Sequence, residues 1–357
     1  MPASSVVHAA FFAVGAIVGG GLATAVGASR NRQLNGPSAS HSSGPVVDVK
    51  VEPTGETRVT PTGTSVTGGI APITSLPAVL KYGNPGPISD QLVRTAYVAG
   101  YDRRLRHPAW TAEHLTLAKL GKSFLEPSPS ASESGDRSNS TFKEDESIPA
   151  MFRARLKDYF RSGYDRGHMV PAADAKISQA AMDETFLLSN MAPQVGDGFN
   201  RHYWAYLEDW CRRLTGTFAD VYVFTVPLYL PKQDPDGKWR VTHEVIGTPP
   251  NVAVPTHFAK VVLTSRPSSP ATPTIPEIST GAFVLPNAVI KDETPLESFV
   301  VPVEAVERAA GLTLFSDDIK KGSKHICQTT KCEVLIRRFD DARKRPEMRR
   351  AISAPAK

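Results

Sequence analysis

The chain has 357 residues, 41% of them hydrophobic, which is enough apolar material for one large domain or two small ones with a hydrophobic core. Lys and Arg number 41 against 36 for Asp and Glu, so the formal net charge is +5, which permits a polyanionic partner but does not require one. Three cysteines are too few for a small disulfide scaffold, so that class of protein is excluded.

The amino-terminal segment is apolar. Residues 5–29 contain no Lys, Arg, Asp or Glu, and Arg30 and Arg32 follow directly. A helix of roughly 20 apolar residues crosses a bilayer core, although Gly19 to Gly21 weaken this one. The segment lacks both the basic start of a secretory signal and the Arg-rich, amphipathic character of a matrix transit peptide. We therefore predict an uncleaved membrane anchor within residues 1–32, with a cleaved signal as the alternative.

The rest of the chain divides by composition. Residues 33–70 are rich in Ser, Gly, Thr and Pro, which predicts a flexible linker. A folded domain is predicted for residues 71–341 and a basic tail for residues 342–357. Within the domain, the Ser-rich stretch 127–140 and the stretch 266–279, which contains four prolines, are predicted to be surface loops.

Three apolar runs predict strands. Residues 220–226 are β-branched and aromatic and are followed by Pro227, which favours a buried strand that ends there. Residues 258–264 form a second such run, and residues 282–285 form a shorter third one.

Two segments predict helices. In residues 200–214 the apolar positions recur at helical spacing and make one stripe, formed by Tyr203, Leu207, Trp210 and Leu214. A second helix is predicted for residues 302–310, ended by Gly311. Strands and helices in irregular order indicate an α+β fold.

The part of the sequence that points to chemistry lies in residues 164–174, 188–194 and 199–208. The first block has His168 directly after Gly167, where a backbone without a Cβ can bend and expose an imidazole. Imidazole is well suited to accept a proton near neutral pH, so His168 is a candidate general base. A lone histidine is more often structural, and from its own position both interpretations stay open.

The helix predicted over 200–214 adds oxygen ligands. Asn200 and Glu208 share a second face beside the apolar stripe, together with Trp204 and Cys211. Amide and carboxylate oxygens are the ligands that Mg²⁺ prefers, and Mg²⁺ takes few of them from the protein. The alternative role for Asn200 is a helix N-cap, which is common for Asn at a helix start.

Two cysteines lie close in sequence, Cys327 and Cys332, with His325 nearby. No fourth ligand accompanies them, so no zinc site is predicted. We interpret them as two separate reduced thiols. A local disulfide, which needs an oxidising compartment, is the alternative.

Several motifs follow one another in a fixed order, namely Asp165-Arg166-Gly167-His168, Ser189-Asn190, Pro193-Gln194, Asn200, Trp204 and Leu207-Glu208. Together they resemble the DNA/RNA non-specific endonuclease family of ββα-metal fold. The resemblance is greatest to its mitochondrial endonuclease G branch and the fungal members of that branch. Matches at residues 142–145, 148–149, 180–186, 227–229, 255–258 and 283–287 extend it over roughly residues 76–339. It implies a central, mainly antiparallel sheet flanked by helices.

The resemblance also implies roles for residues at matching positions. His168 corresponds to the general base that activates water, and Asn200 to the one protein side chain on a catalytic Mg²⁺, for which Mn²⁺ can substitute. Glu208 corresponds to an acid that holds metal-bound water, and Asn190 to a residue that orients the histidine. Arg137 is the candidate for the arginine that stabilises the transition state.

Arg166 is expected to brace the site or to contact a phosphate. The implied substrates are DNA and RNA, cut without strong sequence preference, and a homodimer is possible because relatives form one. One departure stands out: Val226 replaces a glycine of the family pattern, which puts local packing in question.

The implied location is the inner mitochondrial membrane, facing the intermembrane space, with residues 5–29 as the tether. One alternative is a secreted nuclease of the same family with a cleaved amino terminus. Another is a nucleic-acid-binding homologue that has lost catalysis, although both His168 and Asn200 are present.

Overall fold

The computed structural model describes residues 85–122 and 134–336. Five predicted segments lie wholly or partly outside these residues: the anchor at 1–32, the linker at 33–70, the start of the loop at 127–140, both ends of the domain at 71–341, and the tail at 342–357. Within the described ranges, no helix is long and apolar enough to cross a membrane. All elements below belong to the unit that begins at Pro87.

The strands, numbered in chain order, form one large sheet and three small ones. The large sheet contains β1 (Ser89–Val93), β2 (Tyr97–Asp102), β3 (His107–Leu115), β6 (Asp220–Leu228), β11 (His257–Pro267), β12 (Pro276–Pro286), β13 (Val300–Val301) and β14 (Lys324–His325). Its order is β1-β2-β3-β6-β11-β12-β13, with β14 beside β12, and every pair is antiparallel except that last one. The small sheets pair β4 (Tyr164–His168) with β5 (Met191–Val195), β7 (Lys232–Gln233) with β8 (Trp239–Arg240), and β9 (Val245–Ile246) with β10 (Val252–Ala253).

The helices are short apart from one. They are α1 (Leu156–Tyr159), α2 (Gln179–Glu184), α3 (Trp204–Leu214), α4 (Val303–Ala310), α5 (Asp317–Gly322) and α6 (Ile326–Thr329). Single 3₁₀ turns lie at Arg137–Asn139, Ala150–Phe152, Ala172–Asp174, Leu188–Asn190 and Leu296–Phe299. The predicted α+β fold with a mainly antiparallel central sheet is confirmed.

The three predicted strands are all present, and each is longer than predicted. β6 runs through the expected stop at Pro227 and ends at Leu228. A proline fits there because β3 pairs with β6 only as far as Thr225. Beyond that point β11 is the remaining partner of β6 among the described strands, and proline is tolerated where a strand has one neighbour.

The predicted loop over residues 266–279 was wrong at both ends. β11 continues to Pro267 and β12 begins at Pro276, which confines the connection to residues 268–275. These two prolines face each other in the last pair of the ladder, beyond Ser265, where β6 stops pairing with β11. Because four prolines favour a loop, the sequence does not reveal that β11 ends and β12 begins within this segment.

The central sheet is covered on both faces. α3 packs on one face and α4 on the other. Along β11 the side chains alternate, so that Phe258 and Val262 join the core under α3 while Ala259 and Val261 join the core under α4. The continuous apolar run that predicted this strand therefore serves two core layers.

The helix predicted over 200–214 is α-helical from Trp204 onward. Its predicted apolar stripe is buried, with exposed fractions of 3% or less at Tyr203, Leu207, Trp210 and Leu214. The residues before Trp204 form a wider, π-helical turn that ends at Tyr203. Asn200 lies inside that turn, so it is not the helix N-cap, and regular α-helical spacing does not by itself set its direction.

The helix predicted over residues 302–310 is present as α4. α4 begins after Pro302 and ends at Gly311, whose φ of 69° lies in the left-handed region that favours glycine. Val226 is fully buried and lies opposite Ala259 in β11. The small alanine leaves room for the valine, so the departure from the family pattern is accommodated.

β4, β5 and α3 form a ββα unit on the sheet. β4 and β5 pair antiparallel from Tyr164–Val195 to His168–Met191. Asn287, just after β12, fastens this unit to the large sheet. Its Oδ1 accepts a hydrogen bond from the Val195 N–H at 2.9 Å, and its Nδ2 donates to the Pro193 carbonyl at 3.1 Å.

Cys327 and Cys332 form a disulfide, with their Cα atoms 5.2 Å apart, so the interpretation as two reduced thiols was wrong. The segment that they close lies against α3, where the Lys331 carbonyl accepts a hydrogen bond from Trp210 Nε1 at 2.9 Å. Cys211 on α3 is buried and free. The turn that follows α6 brings Cys327 and Cys332 together. The spacing of the two cysteines in the sequence does not show that this turn forms.

We predict that Phe258→Ala lowers the free energy of unfolding by about 3–5 kcal/mol, because it leaves a cavity in the core under α3. Phe258 is fully buried between the rings of Phe199 and Trp204, at centroid distances of 5.8 and 5.6 Å. Urea unfolding followed by circular dichroism measures the effect. The same substitution at Phe160, which is 73% exposed, is the matched control, and equal losses for the two variants would contradict the packing described.

Candidate active site

His168 is the last residue of β4, and its ring sits in an aromatic enclosure. The Phe186 ring meets it edge-on at a centroid distance of 4.9 Å, and Phe142 is tilted against it at 5.7 Å. The side chain is 8% exposed, and its Nε2 has no hydrogen-bond partner among the described residues. The imidazole is thus held by packing and not by a hydrogen bond to a neighbouring side chain.

The protonation state of His168 follows from this enclosure. Burial, with a smaller contribution from the nearby Arg137 guanidinium, lowers the pKa of His168 from 6.5 to about 3. The ring is therefore neutral at physiological pH and has a lone pair that can accept a proton. An anion bound beside Arg137 would offset that positive charge and raise the pKa of the ring, which favours proton transfer only when substrate is present.

Gly167 and Gln194 explain why β4 needs a glycine before the histidine. Gly167 pairs with Ala192 on β5, and the buried Gln194 side chain lies across it. A Cβ on residue 167 would stand only 2.1–2.4 Å from the Gln194 side chain. The glycine is thus required because the Gln194 side chain approaches the backbone closely, and not because the backbone bends there, as the sequence suggests.

Asn200 is oriented by a carboxylate on β4. Its Nδ2 donates a hydrogen bond to Asp165 Oδ2 at 2.8 Å. The same carboxylate accepts two hydrogen bonds from the Arg201 guanidinium, at 2.8 Å from Nε and 2.7 Å from Nη2. Hydrogen bonding to Arg201 and Asn200 outweighs desolvation and lowers the pKa of Asp165. The amide nitrogen of Asn200 is therefore occupied, and its oxygen is the atom left to face a ligand.

Asp165 is the site residue that sequence reasoning missed, although it opens the motif that contains His168. It lies three residues before His168, about 10 Å along the strand at the usual rise per residue. Strand alternation was the available signal, because it places Asp165 and Gly167 on one side of β4 and Arg166 and His168 on the other. What Asp165 binds could not be seen without the fold.

Glu208 lies one turn into α3 and is partly buried. Burial raises its pKa to about 7, although Lys260, Arg212 and Arg137 act in the opposite direction. Arg137 lies over the Phe186 ring at 5.6 Å, and the same ring meets His168 edge-on, so the guanidinium is near His168. Its charge lowers the pKa of both His168 and Glu208. The structure thus brings Arg137, His168 and Glu208 into one electrostatic neighbourhood.

Asn190 and Arg166 take supporting positions. Asn190 is fully buried, its Oδ1 accepts from the Val170 N–H at 3.1 Å, and its Nδ2 donates to the carbonyls of Val170 and Thr185 at 3.0 and 2.9 Å. It therefore fixes the backbone that follows His168 and makes no hydrogen bond to the ring. Arg166 lies over the Phe142 ring at 4.3 Å, on the aromatic enclosure itself.

The side-chain oxygens of Asn200 and Glu208 are the candidate ligands for Mg²⁺. Within residues 85–122 and 134–336 no group of three or more His, Cys, Asp or Glu is placed to hold a metal ion. The oriented oxygen of Asn200, with the Glu208 carboxylate on the same segment, is a sparse oxygen set. Mg²⁺ binds through few protein ligands and keeps several waters, so these residues fit it.

The model of the family described as DNA/RNA non-specific endonuclease matches residues 77–319, which is more than half of the chain. The fold and the ordered motifs described above agree with that match. The chain belongs to the DNA/RNA non-specific endonuclease family, and it is an enzyme of the nuclease class.

Its relatives narrow the placement within that family. The chain is 50% identical to "Nuclease 1, mitochondrial" of Schizosaccharomyces pombe over 75% of this chain and 79% of the relative. It is 51% identical to "Mitochondrial nuclease" of Saccharomyces cerevisiae over 73% and 76%, respectively. A crystal structure of an EndoG/EndoGI complex aligns with a TM-score of 0.59 at 46% identity, covering 70% of this chain and 96% of that one. The resemblance to fungal mitochondrial and endonuclease G members is confirmed.

We predict that Gly167→Ala lowers the free energy of unfolding by about 1–3 kcal/mol, the usual cost of overpacking, because the new methyl group collides with Gln194. Thermal unfolding measures this loss. In the double variant Gly167→Ala/Gln194→Ala the space is restored, and much of the loss should be recovered. If trimming Gln194 recovers nothing, the close approach is not the reason for the glycine.

We predict that His168 makes the protein less stable as the pH falls. Its pKa is about 3 in the folded chain, against 6.5 for an ordinary exposed histidine, so between these values the unfolded chain binds one proton more than the folded chain. The free energy of unfolding then rises with pH by about 1.4 kcal/mol per unit for this group. Urea titrations from pH 7 to 4 should give a slope shallower by that amount in His168→Gln. Identical slopes would contradict the burial of a neutral ring.

Proposed function

We propose that the protein is a Mg²⁺-dependent endonuclease that hydrolyses phosphodiester bonds of DNA and RNA, with His168 as the general base and Asn200 as the metal ligand. The observation that supports this most is the position of Arg137 over the Phe186 ring that packs against the neutral His168, with a charge that also acts on Glu208. A base without a proton, a fixed positive charge and an acid in one neighbourhood are the groups that phosphodiester hydrolysis needs.

His168 would act first, on water. Its neutral ring removes a proton while the water oxygen forms a bond to phosphorus, and the bond from phosphorus to the leaving sugar oxygen breaks. Phe142 and Phe186 hold the ring in one orientation, so little reorganisation is needed at the moment of transfer. Asn190 contributes by fixing the backbone of the segment directly after His168.

Charge stabilisation would come from two sides. Arg137 would offer a guanidinium to the negative charge that develops on the phosphate oxygens, and Arg166, which lies over the Phe142 ring, would contact a phosphate. A bound Mg²⁺ would supply further neutralisation of that charge and of the leaving oxygen. Asp165 holds the amide nitrogen of Asn200, so the amide oxygen would be the ligand for that ion. Glu208 would accept hydrogen bonds from water bound to the ion.

The proposed substrates follow from the kind of contact available. Guanidinium groups and a metal ion recognise phosphates, which carry no base information, so sequence and sugar would be read weakly. The family description, DNA/RNA non-specific endonuclease, supports this. A homodimer remains part of the proposal by analogy with relatives, and analytical ultracentrifugation of the full chain tests it.

We propose a mitochondrial location, supported by the names of the two fungal relatives. The finer proposal is an inner-membrane tether at residues 5–29 that holds the domain in the intermembrane space. Sequencing the mature amino terminus and extracting purified mitochondria with carbonate test it. A mature start near Ala28 would exclude the tether and favour a cleaved leader.

We predict that full-length protein degrades plasmid DNA and a long RNA with Mg²⁺ or Mn²⁺, and that EDTA abolishes both reactions. His168→Ala should lower kcat by about 10²–10⁴-fold, the usual worth of a positioned general base. Asn200→Ala should raise the Mg²⁺ concentration needed for half-maximal rate as well as lower kcat, because the metal loses its protein ligand. Gel assays under initial-rate conditions measure each quantity.

The matched control is His114→Ala, which removes a histidine that pairs with Asp220 at 2.8 Å on the large sheet. That variant should cut at the parent's rate. The proposal is falsified if His168→Ala also does so. An Asn200→Ala variant with unchanged Mg²⁺ dependence would remove Asn200 from the metal site and leave the role of His168 standing.

A further inference from the structure

Charged side chains are buried between the large sheet and α3, beneath the proposed site. On the sheet face turned toward α3, Glu113 of β3 is 5% exposed and Lys260 of β11 is 1% exposed. From the opposite layer come Asp174, at the end of a 3₁₀ turn, and Arg212 of α3, with side chains 2% and 13% exposed. Burying charges is costly unless they are paired, so this layer requires a physical reason.

Asp174 and Arg212 connect two parts of the proposed site. Asp174 lies in the segment that leaves β4 directly after His168, and Arg212 lies one turn beyond Glu208 on α3. Arg212 Nη1 donates to Asp174 Oδ1 at 2.8 Å. The pair therefore bridges the strand that ends in the general base and the helix that follows Asn200.

The sheet supports this bridge from below. Glu113 lies in the same buried layer as Asp174, and burial followed by the Asp174 charge raises the pKa of Glu113, although Lys260 acts in the opposite direction. Lys260 donates to Thr225 Oγ1 at 2.8 Å and lies 5.0 Å from the centre of the Trp204 ring, at the first residue of α3.

We infer that Asp174 and Arg212 are positioning residues of the reaction, whose ion pair sets the spacing between His168 and the helix that carries Glu208. Glu113 and Lys260 are the buried support that holds this pair against the sheet. The inference rests on the proposed function, because it assigns His168 and α3 to the same reaction. Displacements of about 1 Å at a reacting group can cost on the order of 10²-fold in rate, so a buried link between them is catalytically relevant.

A neighbouring ion pair on the same helix provides the contrast. Arg213 donates to Asp209 at 3.2 Å within α3, and its Nη2 reaches the Glu333 carbonyl at 3.1 Å. It does not contact the segment after β4 through any hydrogen bond found in the described residues. Arg213→Met therefore removes an arginine from the same helix without breaking the proposed link.

The test compares Arg212→Met, Arg212→Lys, Asp174→Asn and Arg213→Met in the full chain. Rates on plasmid DNA are measured at saturating Mg²⁺, at a temperature where circular dichroism shows each variant folded. We expect Arg212→Met and Asp174→Asn to lower kcat by about 10–100-fold with KM changed less than about threefold. Arg212→Lys, which keeps the charge, should recover part of the loss, and Arg213→Met should match the parent.

A second arm separates positioning from general stability. In a His168→Ala background the base is absent, so Arg212→Met should cause little further loss; a merely structural pair would give independent losses in both backgrounds. Equal kcat for Arg212→Met and Arg213→Met, or fully independent losses, would overturn the inference and leave the proposed function intact. If Arg212→Met does not fold, Arg212→Lys and Asp174→Asn decide by the same criteria. Parental activity of His168→Ala alone would instead overturn the proposed function.

Discussion

The Asp165 carboxylate ties the strand that carries His168 to the turn that carries Asn200. It accepts one hydrogen bond from the Asn200 amide and two from the Arg201 guanidinium, so this one carboxylate orients the side chains of both Asn200 and Arg201. Asp165 and His168 lie at opposite ends of the five-residue strand β4, so the strand connects the turn that carries Asn200 with the aromatic enclosure around His168. The remaining parts of the site, from the aromatic enclosure to α3, are arranged around that strand.

Burial then sets the chemistry, with opposite effects on the two titratable groups. Desolvation disfavours charge, which lowers the pKa of His168 to about 3 and raises that of Glu208 to about 7. His168 is thereby held without its proton, and Glu208 is divided between its protonated and ionised forms near neutral pH. Arg137 acts on both, so the approach of a phosphate to this arginine would alter both groups at once.

The large sheet supplies the rigid base for this arrangement. Most of its face under α3 is apolar, yet Glu113 and Lys260 interrupt it, and Lys260 lies 5.0 Å from the centre of the Trp204 ring at the start of α3. A wholly apolar layer would be easier to bury. The charged layer instead joins elements that are far apart in the chain through directional contacts, which define one relative position more narrowly than apolar packing does.

The sequence alone determined the features that depend on neighbours a few residues apart: the apolar strand at β11, the buried stripe of α3, and the end of α4 at Gly311. Resemblance in ordered motifs also predicted His168 and Asn200 as site residues, without showing which neighbours hold their side chains. Tertiary structure decided the rest, namely the strand ends hidden by prolines, the Cys327–Cys332 disulfide, the wide turn around Asn200 and its capture by Asp165. Those features depend on which distant segment lies alongside, and periodicity within one segment carries no information about its partner.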